Sequence, residues 1–209
     1  MDDIEPTHPI GRRERNKQRV KSRLYESALR LFTENGYEQT SVDEIAEAAD
    51  VARGTFFNHF QRKEDLITAW GDDRRRHLRI GLSSSEVPQD EGLAATLRRC
   101  MAILASINAA EREVTRAMLT AWVKAGRPLN EAPYAAEIFA EAVESARRRG
   151  EVPDAVDPRR IGNLFRDAYL GTLYRWSQME GELDLHAELC AITDIILHGI
   201  LARFPAHRD

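Results

Sequence analysis

The sequence predicts an all-α protein, in which a small N-terminal helical domain is followed by a larger C-terminal helical bundle. Apolar residues recur at steps of three and four along most of the 209 residues, as they do on the buried face of a helix. No stretch alternates apolar and polar residues over a useful length, so no strand is predicted. Hydrophobic residues make up 43% of the chain, and a chain of this length buries a core without needing disulfides or a metal.

The predicted elements begin with a tail and one long helix. Residues 1–11 contain two prolines and a glycine but no apolar period, which predicts a disordered tail. A helical period starts at about Arg15 and continues to Asn35 and Gly36, where the glycine is typical of a helix C-terminus.

Three shorter elements follow this first helix. Ser41 begins a short helix, because Ser41 and Glu44 have the spacing of a capping box, in which each side chain pairs with a free backbone N–H group. A tight turn at 50–51 leads to a very short helix at 53–60, and a longer helix spans 63–82.

A loop at 83–92 separates these elements from five further helices. Asp157 and Pro158 have the order of an N-cap followed by a first-turn proline, and the last helix is predicted to begin after Asp184. The apolar faces of the five helices carry Leu93, Leu97, Cys100, Leu104 and Ile107; Val114, Met118, Ala121 and Trp122; Tyr134, Ile138, Ala142 and Val143; Ile161, Leu164, Phe165, Ala168, Tyr169, Leu173 and Trp176; and Leu185, Leu189, Ile192, Ile195, Ile196, Ile200 and Phe204.

The composition limits the class of protein. The apolar runs near Ile103 and at 195–197 are far shorter than the ~20 residues of a membrane-spanning helix. The N-terminus lacks a basic segment followed by an apolar stretch, so we expect no secretory signal. Cys100 and Cys190 stand apart, without the spacing of a metal site. We therefore expect a cytoplasmic protein that binds no membrane, cofactor or metal.

The formal net charge of −4 conceals a gradient along the chain. Residues 10–30 contain eight basic and two acidic side chains, whereas residues 81–209 contain 15 basic and 19 acidic ones. A basic segment joined to an acidic remainder indicates a polyanionic partner such as nucleic acid. The alternative is an ordinary solvated helix face, and composition alone leaves both open.

Residues 40–67 form the block with the clearest functional meaning. The block has the order of a helix-turn-helix: a capped short helix, a tight turn and a second short helix. In this motif the first helix braces the second and leaves one side of the second helix free for the major groove of DNA. Ala46 is small where the two helices approach, and Val51 fills the turn. The residues left for the groove and the flanking phosphates are Arg53, Gly54, Thr55, Asn58 and His59.

This block and the helix before it resemble the TetR family of bacterial transcriptional regulators. The matching residues are Asn35, Gly36, Tyr37, Thr40, Ser41, Val42, Ile45, Ala46, Val51, the run GTFFNHF at 54–60 and the run KEDL at 63–66. The resemblance covers about the first third of the chain, and the rest is similar only in architecture and at 170–176. It implies a helix-turn-helix DNA-binding domain at 12–62, a connecting helix at 63–82, and a ligand-binding and dimerisation domain at 83–209.

The resemblance implies roles for single residues. Thr55 and Lys63 correspond to side chains that contact phosphates, and Arg53 to one that reads a base, for which arginine suits guanine. His59 corresponds to a histidine near the DNA backbone, with an ordinary half-buried histidine as an equal alternative. The predicted DNA-binding residues are Ser41, Arg53, Gly54, Thr55, Phe57, Asn58, His59 and Lys63.

Two positions depart from the family pattern. Phe57 and Asn58 stand where the family often has two aromatic residues led by tyrosine, so one phenolic phosphate contact is absent and Asn58 is expected to substitute. Phe57 either touches sugar edges or simply packs. Arg62 stands where a small polar cap usually precedes the lysine, which weakens the cap and adds a cation.

The resemblance also implies that the C-terminal helices bind an effector and form a homodimer. Small residues on the last two long helices permit close approach of a second subunit, namely Gly162, Ala168, Gly171 and Gly199. The candidate pocket residues are Cys100, Leu104, Met118, Trp122, Phe139, Asn163, Arg166, Tyr169 and Trp176. Each apolar member is alternatively ordinary core, and Asn163 and Arg166 alternatively face water.

These features predict a DNA-binding transcriptional regulator, more often a repressor, that a small apolar or aromatic effector releases from double-stranded DNA. A two-fold dimer presents its reading helices ~34–36 Å apart and so predicts a palindromic operator. One alternative is a regulator with a vestigial or protein-binding bundle. Another is a helical-bundle enzyme or carrier, but the six histidines lack ligand spacing and no nucleophile or phosphate-loop motif is present, so we expect no enzyme.

Overall fold

The computed structural model describes residues 11–83, 91–125, 134–179 and 183–203. Within these ranges the chain forms nine α-helices and no strand, as the sequence predicts. The helices are α1 (Arg12–Asn35), α2 (Val42–Ala48), α3 (Arg53–Phe57), α4 (Asp65–Leu82), α5 (Leu93–Ala110), α6 (Arg112–Lys124), α7 (Tyr134–Arg148), α8 (Pro158–Gln178) and α9 (Leu185–Arg203). The predicted tail up to residue 10, most of the loop at 83–92 and the predicted core residue Phe204 lie outside the described residues.

The chain divides into two compact units, one ending at Leu66 and the other beginning at Ile67. The division falls within α4, the helix expected to connect the two domains.

The N-terminal unit is built around the buried face of α1. Leu24, Ala28 and Phe32 recur at four-residue steps and are at most 1% exposed, so they form the stripe that an amphipathic helix turns towards its core. Gly36 ends α1 with a φ of +83°, a conformation that residues with a Cβ rarely adopt, and its N–H donates to the Phe32 carbonyl.

The capping box predicted at the start of α2 is present. The Glu44 N–H donates to Ser41 Oγ over 3.2 Å, and Ser41 N–H donates to Glu44 Oε2 over 2.7 Å. These two bonds begin α2 at Val42, and α2 then buries Ile45 and Ala46.

The turn between α2 and α3 is closed by backbone and side-chain bonds. Asp50 has a φ of +51°, and the Val51 N–H donates to the Ala46 carbonyl over 3.0 Å. Arg23 of α1 donates to the carbonyls of Ala49 and Asp50 and pairs with the Asp50 carboxylate at 3.2 Å. Arg23 therefore holds the end of α2, although it belongs to the basic segment that was expected to face a polyanionic partner.

Two predicted helix boundaries were wrong. The helix expected at 53–60 ends at Phe57, because the N–H groups of Asn58 and His59 bond three residues back and tighten the chain into turns. The helix expected from Lys63 begins at Asp65, whose carboxylate accepts from the N–H groups of Gln61 and Arg62 at 2.8 and 2.9 Å. This carboxylate supplies the cap that Arg62 was expected to weaken.

In the C-terminal unit, α7 packs along α8 and α5 packs along α9. Gly162 allows the first of these contacts, because a Cβ there would collide with the Ala136 carbonyl oxygen. Gly162 was expected to allow approach of a second subunit, and this placement inside the chain corrects that expectation. Asp157 caps α8 ahead of Pro158, as predicted, by accepting from the Arg159 N–H over 2.9 Å.

One helix among the described residues, α5, is long and apolar enough to cross a membrane by length and composition alone. The expectation that no segment approaches this limit was too strict, because α5 carries its apolar residues with few interruptions. Leu97, Cys100, Met101 and Leu104 of α5 are at most 2% exposed within the protein. Core helices of folded proteins commonly have this composition, so α5 is weak evidence of a membrane span.

Candidate functional site

Helix α3 presents one side to the core and the other to solvent. Phe56 is fully buried, and its ring lies 5.6 Å from that of Phe60, which is 5% exposed. Arg53, Gly54 and Asn58 are exposed. The other two predicted contact residues on this helix differ in exposure: Phe57 is 45% exposed, whereas Thr55 is half-buried.

Arg53 lies between an acidic and an aromatic side chain. Its Nη1 is 2.6 Å from Asp43 Oδ2 on α2, and its guanidinium carbon is 5.8 Å from the centroid of the Phe57 ring. The bond to Asp43 uses one of the five N–H donors of arginine. The Arg53 side chain is 62% exposed, so its other donors are open to solvent. Sequence reasoning missed Asp43.

His59 lies beside the basic face of α1. Burial lowers its pKa from the ordinary 6.5, and the charges of Lys17 and Lys21 lower it further, so the ring is neutral near pH 7. Its Nδ1 is buried and has no hydrogen-bond partner among the described residues. The nitrogen left to reach a phosphate is therefore Nε2.

Lys63 is turned towards the loop between α1 and α2. Its ammonium donates to the Tyr37 and Thr40 carbonyls at 2.7 and 2.9 Å and lies 4.1 Å from the Tyr37 ring centroid. Burial lowers the pKa of Lys63. Two of its three protons hold this loop, so the predicted phosphate contact has only the third proton available.

Ser41 is exposed at the start of α2, but its hydroxyl is already used. It accepts from the Glu44 N–H and donates to Glu44 Oε2 over 2.8 Å. The bond from the Ser41 backbone N–H, followed by the bond from its hydroxyl, lowers the pKa of the Glu44 carboxyl. The predicted DNA contact of Ser41 remains a prediction and would have to share the hydroxyl.

The first turns of α1 carry the exposed part of the basic segment. Arg12, Arg13 and Lys17 are exposed, and no carboxylate of the described residues pairs with them. Further along α1, Arg30 pairs with Glu34 at 3.2 Å. The cations available to a polyanion are thus concentrated at the N-terminal end of α1. Lys17, which lies beside His59, belongs to the same end of the helix.

The predicted pocket residues fall into two groups. Six are buried in the C-terminal unit, namely Cys100, Leu104, Met118, Phe139, Tyr169 and Trp176. The seventh apolar candidate, Trp122, is half-buried, and its buried Nε1 has no hydrogen-bond partner among the described residues. Asn163 is exposed in an open groove between α7 and α8, and Arg166 pairs with the neighbouring Asp167 at 2.6 Å. These two side chains do not join the buried group, and their assignment as pocket residues stays a prediction.

A buried polar group connects α5, α6 and α8. Asn108 Nδ2 donates to Tyr169 Oη over 3.0 Å and to the Leu104 carbonyl over 2.7 Å, and Thr115 Oγ1 lies 3.3 Å from Asn108 Oδ1. Burial raises the pKa of Tyr169 to about 12, so its phenol keeps its proton. Sequence reasoning missed Asn108 and Thr115, although a polar residue in line with Leu104 on an apolar helix face is a signal that could have found them.

The exposed side of α8 and α9 carries apolar residues. Leu164 is 45% exposed and Ile195 is 71% exposed, although both were expected on buried faces. Gly171 and Gly199 lie on the same helices, and a Cβ added at either would meet no other atom within 4 Å. This set of four residues is called the α8–α9 face below.

No group of three or more His, Cys, Asp or Glu side chains among the described residues could hold a metal ion. The arrangement of α2, a tight turn and an outward-facing α3, set beside a basic helix, defines a protein of the helix-turn-helix class.

Residues 24–70 match the family model described as bacterial regulatory proteins, tetR family. The match begins in α1 and ends in α4, so the N-terminal part of the chain is similar to the TetR family.

Relatives match the N-terminal part most closely. The HTH-type transcriptional regulator TcmR of Streptomyces glaucescens is 46% identical over 56 residues, which are 27% of this chain and 25% of TcmR. The matched stretch thus spans about a quarter of that relative's length.

Two longer matches extend over the C-terminal unit. The fatty acid metabolism regulator protein of Bacillus subtilis strain 168 is 23% identical over 186 residues, which cover 85% of this chain and 93% of that protein. The crystal structure of Thermus thermophilus FadR, a TetR-family transcriptional repressor in complex with lauroyl-CoA, has 25% identity and a TM-score of 0.68, covering 90% of this chain and 99% of FadR. The bundle therefore has the fold of these regulators.

Proposed function

We propose that the protein is a DNA-binding transcriptional regulator that acts as a repressor. The observation that carries the proposal is α3, which anchors itself through Phe56 and leaves Arg53, Gly54 and Asn58 exposed. Arg53 reads a base in the major groove, while the cations at the start of α1 bind phosphates and position the protein. Thr55, Phe57, His59 and Lys63 flank this contact.

A homodimer through the α8–α9 face completes the DNA-binding form. Leu164 and Ile195 expose apolar surface in the single chain, and the glycines beside them allow close approach of a second copy. A two-fold axis through this face pairs the two α3 helices, so the operator is expected to be palindromic.

The buried group in the C-terminal unit is proposed to bind a small effector of apolar or aromatic character. Support comes from the apolar residues around Tyr169 and from FadR, which was solved with lauroyl-CoA. The effector lowers DNA affinity only if it binds the DNA-free state more tightly than the DNA-bound state. We assign no catalytic activity, because both relatives are named regulators, TcmR a transcriptional regulator and the Bacillus subtilis protein a regulator of fatty acid metabolism. A bundle that binds a protein instead of a small molecule remains the alternative.

DNA binding is tested by fluorescence anisotropy on the DNA upstream of the reading frame. We expect affinity to fall steeply as salt rises, because each neutralised phosphate releases condensed counterions. Replacing Arg13 of α1 by Gln should reduce the slope of log affinity against log salt by roughly 0.9. The matched control is Arg116→Gln, an exposed arginine of α6 that should leave the slope unchanged. Absence of a protected palindrome in a footprint at low salt would contradict the proposal.

The dimer is tested by Ile195→Arg with sedimentation velocity. Ile195 is 71% exposed in the single chain, so a charge there should not disturb the protomer's own core. We expect the variant to be a folded monomer, because the new charges would be buried against each other across the two-fold axis. An unchanged dimer would show that the interface lies elsewhere.

A further inference from the structure

Two donors on α4 are buried without an acceptor. Trp70 and Arg74 lie one helical turn apart, are 6% and 7% exposed, and place the guanidinium carbon 5.4 Å from the Trp70 ring centroid. Trp70 Nε1 and Arg74 Nε have no hydrogen-bond partner among the described residues. Buried polar atoms of folded proteins are nearly always paired, so two neighbouring orphans need an explanation.

Tyr169 adds a third donor to this region. Its oxygen accepts from Asn108, which leaves its own O–H without an acceptor among the described residues. Glu111, which pairs with Arg74, donates its N–H to the Asn108 carbonyl over 3.3 Å, and Asn108 in turn bonds Tyr169. These contacts place Arg74 and Tyr169 in the same part of the unit. All three unpaired groups are donors, so the missing partner is an acceptor.

The charge of Arg74 is already balanced. Its Nη2 is paired with Glu111 Oε2, at the junction of α5 and α6. A second carboxylate brought to the same guanidinium would be a buried anion without a counter-ion, which is strongly unfavourable. The acceptor that fits is therefore uncharged, such as the carbonyl oxygen of an ester, thioester or ketone.

The neighbouring residues set the rest of the ligand. Leu104 supplies the carbonyl that holds Asn108, and Cys100, Leu104 and Met118 are at most 2% exposed on α5 and α6. Apolar side chains of this kind solvate a hydrocarbon and disfavour a second polar group.

We propose that Trp70, Arg74 and Tyr169 form a subsite of the C-terminal unit that binds the uncharged carbonyl oxygen of an apolar acyl compound. This inference rests on the proposed effector function and names the chemical group that the effector presents. The subsite discriminates against the free carboxylate of the same hydrocarbon chain, because Glu111 already neutralises Arg74.

The test compares three probes of equal chain length on the full-length protein: methyl dodecanoate, dodecanoate and dodecane. Binding is followed by tryptophan fluorescence and by thermal shift in the absence of DNA. We expect the ester to bind at least roughly tenfold more tightly than either of the other probes. Dodecane lacks the carbonyl oxygen that accepts the buried hydrogen bond, and dodecanoate would bring a second negative charge into the buried site. Tighter binding of dodecanoate, or equal binding of the ester and the alkane, would overturn the proposal.

Two conservative variants locate the contact. Tyr169→Phe and Trp70→Phe each remove one donor, and each should weaken the ester roughly fivefold while leaving dodecane unchanged. Tyr174→Phe is the matched control, because it removes a phenol from the same helix at a side chain that is 40% exposed. An ester-to-alkane ratio that neither variant changes would also overturn the proposal.

A separate measurement distinguishes this inference from the proposed function. If the ester binds through the subsite but does not release DNA, the subsite stands and the regulatory coupling fails. If DNA is released by an effector whose binding ignores both variants, the coupling stands and the subsite fails.

Discussion

Two arginines, one in each unit, show that the same kind of ion pair, an arginine with a carboxylate, has different consequences at different exposures. Arg53 pairs with Asp43 at a side-chain exposure of 62%, whereas Arg74 pairs with Glu111 at an exposure of 8%. Water screens the first pair, so its interaction is weak and Asp43 can be exchanged for DNA at little cost. The second guanidinium is buried and cannot exchange its partner for water, so its position is fixed.

The largest expected effect comes from removing the exposed guanidinium. Arg53→Ala should lower operator affinity by up to ~3 kcal/mol and relax specificity at one base pair, because a bidentate contact to guanine is lost. Stability and dimerisation should stay unchanged, since the side chain is 62% exposed. Wild-type specificity in a gel-shift titration of this variant would remove Arg53 from the reading surface.

The buried pair should matter more for stability. Glu111→Gln leaves Arg74 buried with a neutral partner and should destabilise the C-terminal unit by about 2 kcal/mol, less than for a fully buried pair because water reaches Glu111. Denaturant unfolding measures this loss. The exposed counterpart, Asp43→Asn, is the control. Equal destabilisation by the two variants would contradict the claim that the buried pair contributes more to stability than the exposed pair.

Acidification should weaken the N-terminal unit through His59. The pKa of His59 is lowered by burial and by Lys17 and Lys21, so the unfolded chain binds the proton more readily than the folded one. Stability is therefore fully present above the ordinary value of 6.5 and is lost as pH falls below it, at no more than ~1.4 kcal/mol per pH unit for this single group. His59→Gln should flatten the pH dependence of the free energy of unfolding. If the variant and the wild type have identical pH profiles, the dependence arises from other groups.

The smallest expected effect is that of Asp43→Asn on stability. Losing an exposed ion pair should change the free energy of unfolding by less than about 1 kcal/mol. Affinity for non-operator DNA should rise, because a negative charge beside Arg53 is removed, and the ratio of specific to non-specific binding should fall. Anisotropy titrations with operator and scrambled duplexes measure both. A lower affinity for both duplexes would mean that Asp43 orients Arg53 for binding.

The motifs that act over a few residues were predictable. The capping box at Ser41 and the N-cap at Asp157 depend on neighbours in sequence, and the structure contains both. The wrong predictions concern side chains whose partners are distant. Arg23 belonged to a basic run that suggested phosphates, yet its partners Ala49 and Asp50 lie at the end of another helix.

The middle of α4 shows the same limit. It carries three arginines in succession, which a helix distributes at ~100° steps around its axis. Arg75 pairs with Asp72 at 2.8 Å on its own helix, whereas Arg74 alone of the three is buried. No pattern in the sequence distinguishes Arg74, because the helix faces are assigned only when α4 meets its neighbours.

By itself the sequence determined the helical class, the order of the helix-turn-helix and the resemblance of the N-terminal part to the TetR family, because hydrophobic period, capping residues and turn residues act locally. Only the tertiary structure decided that Lys63 holds the loop before α2, that Asp43 meets Arg53, and that Trp70 and Arg74 each bury a donor with no acceptor in the described part of the chain. The reason is that a side chain's partners and its exposure to water depend on which residues from other helices fold against it.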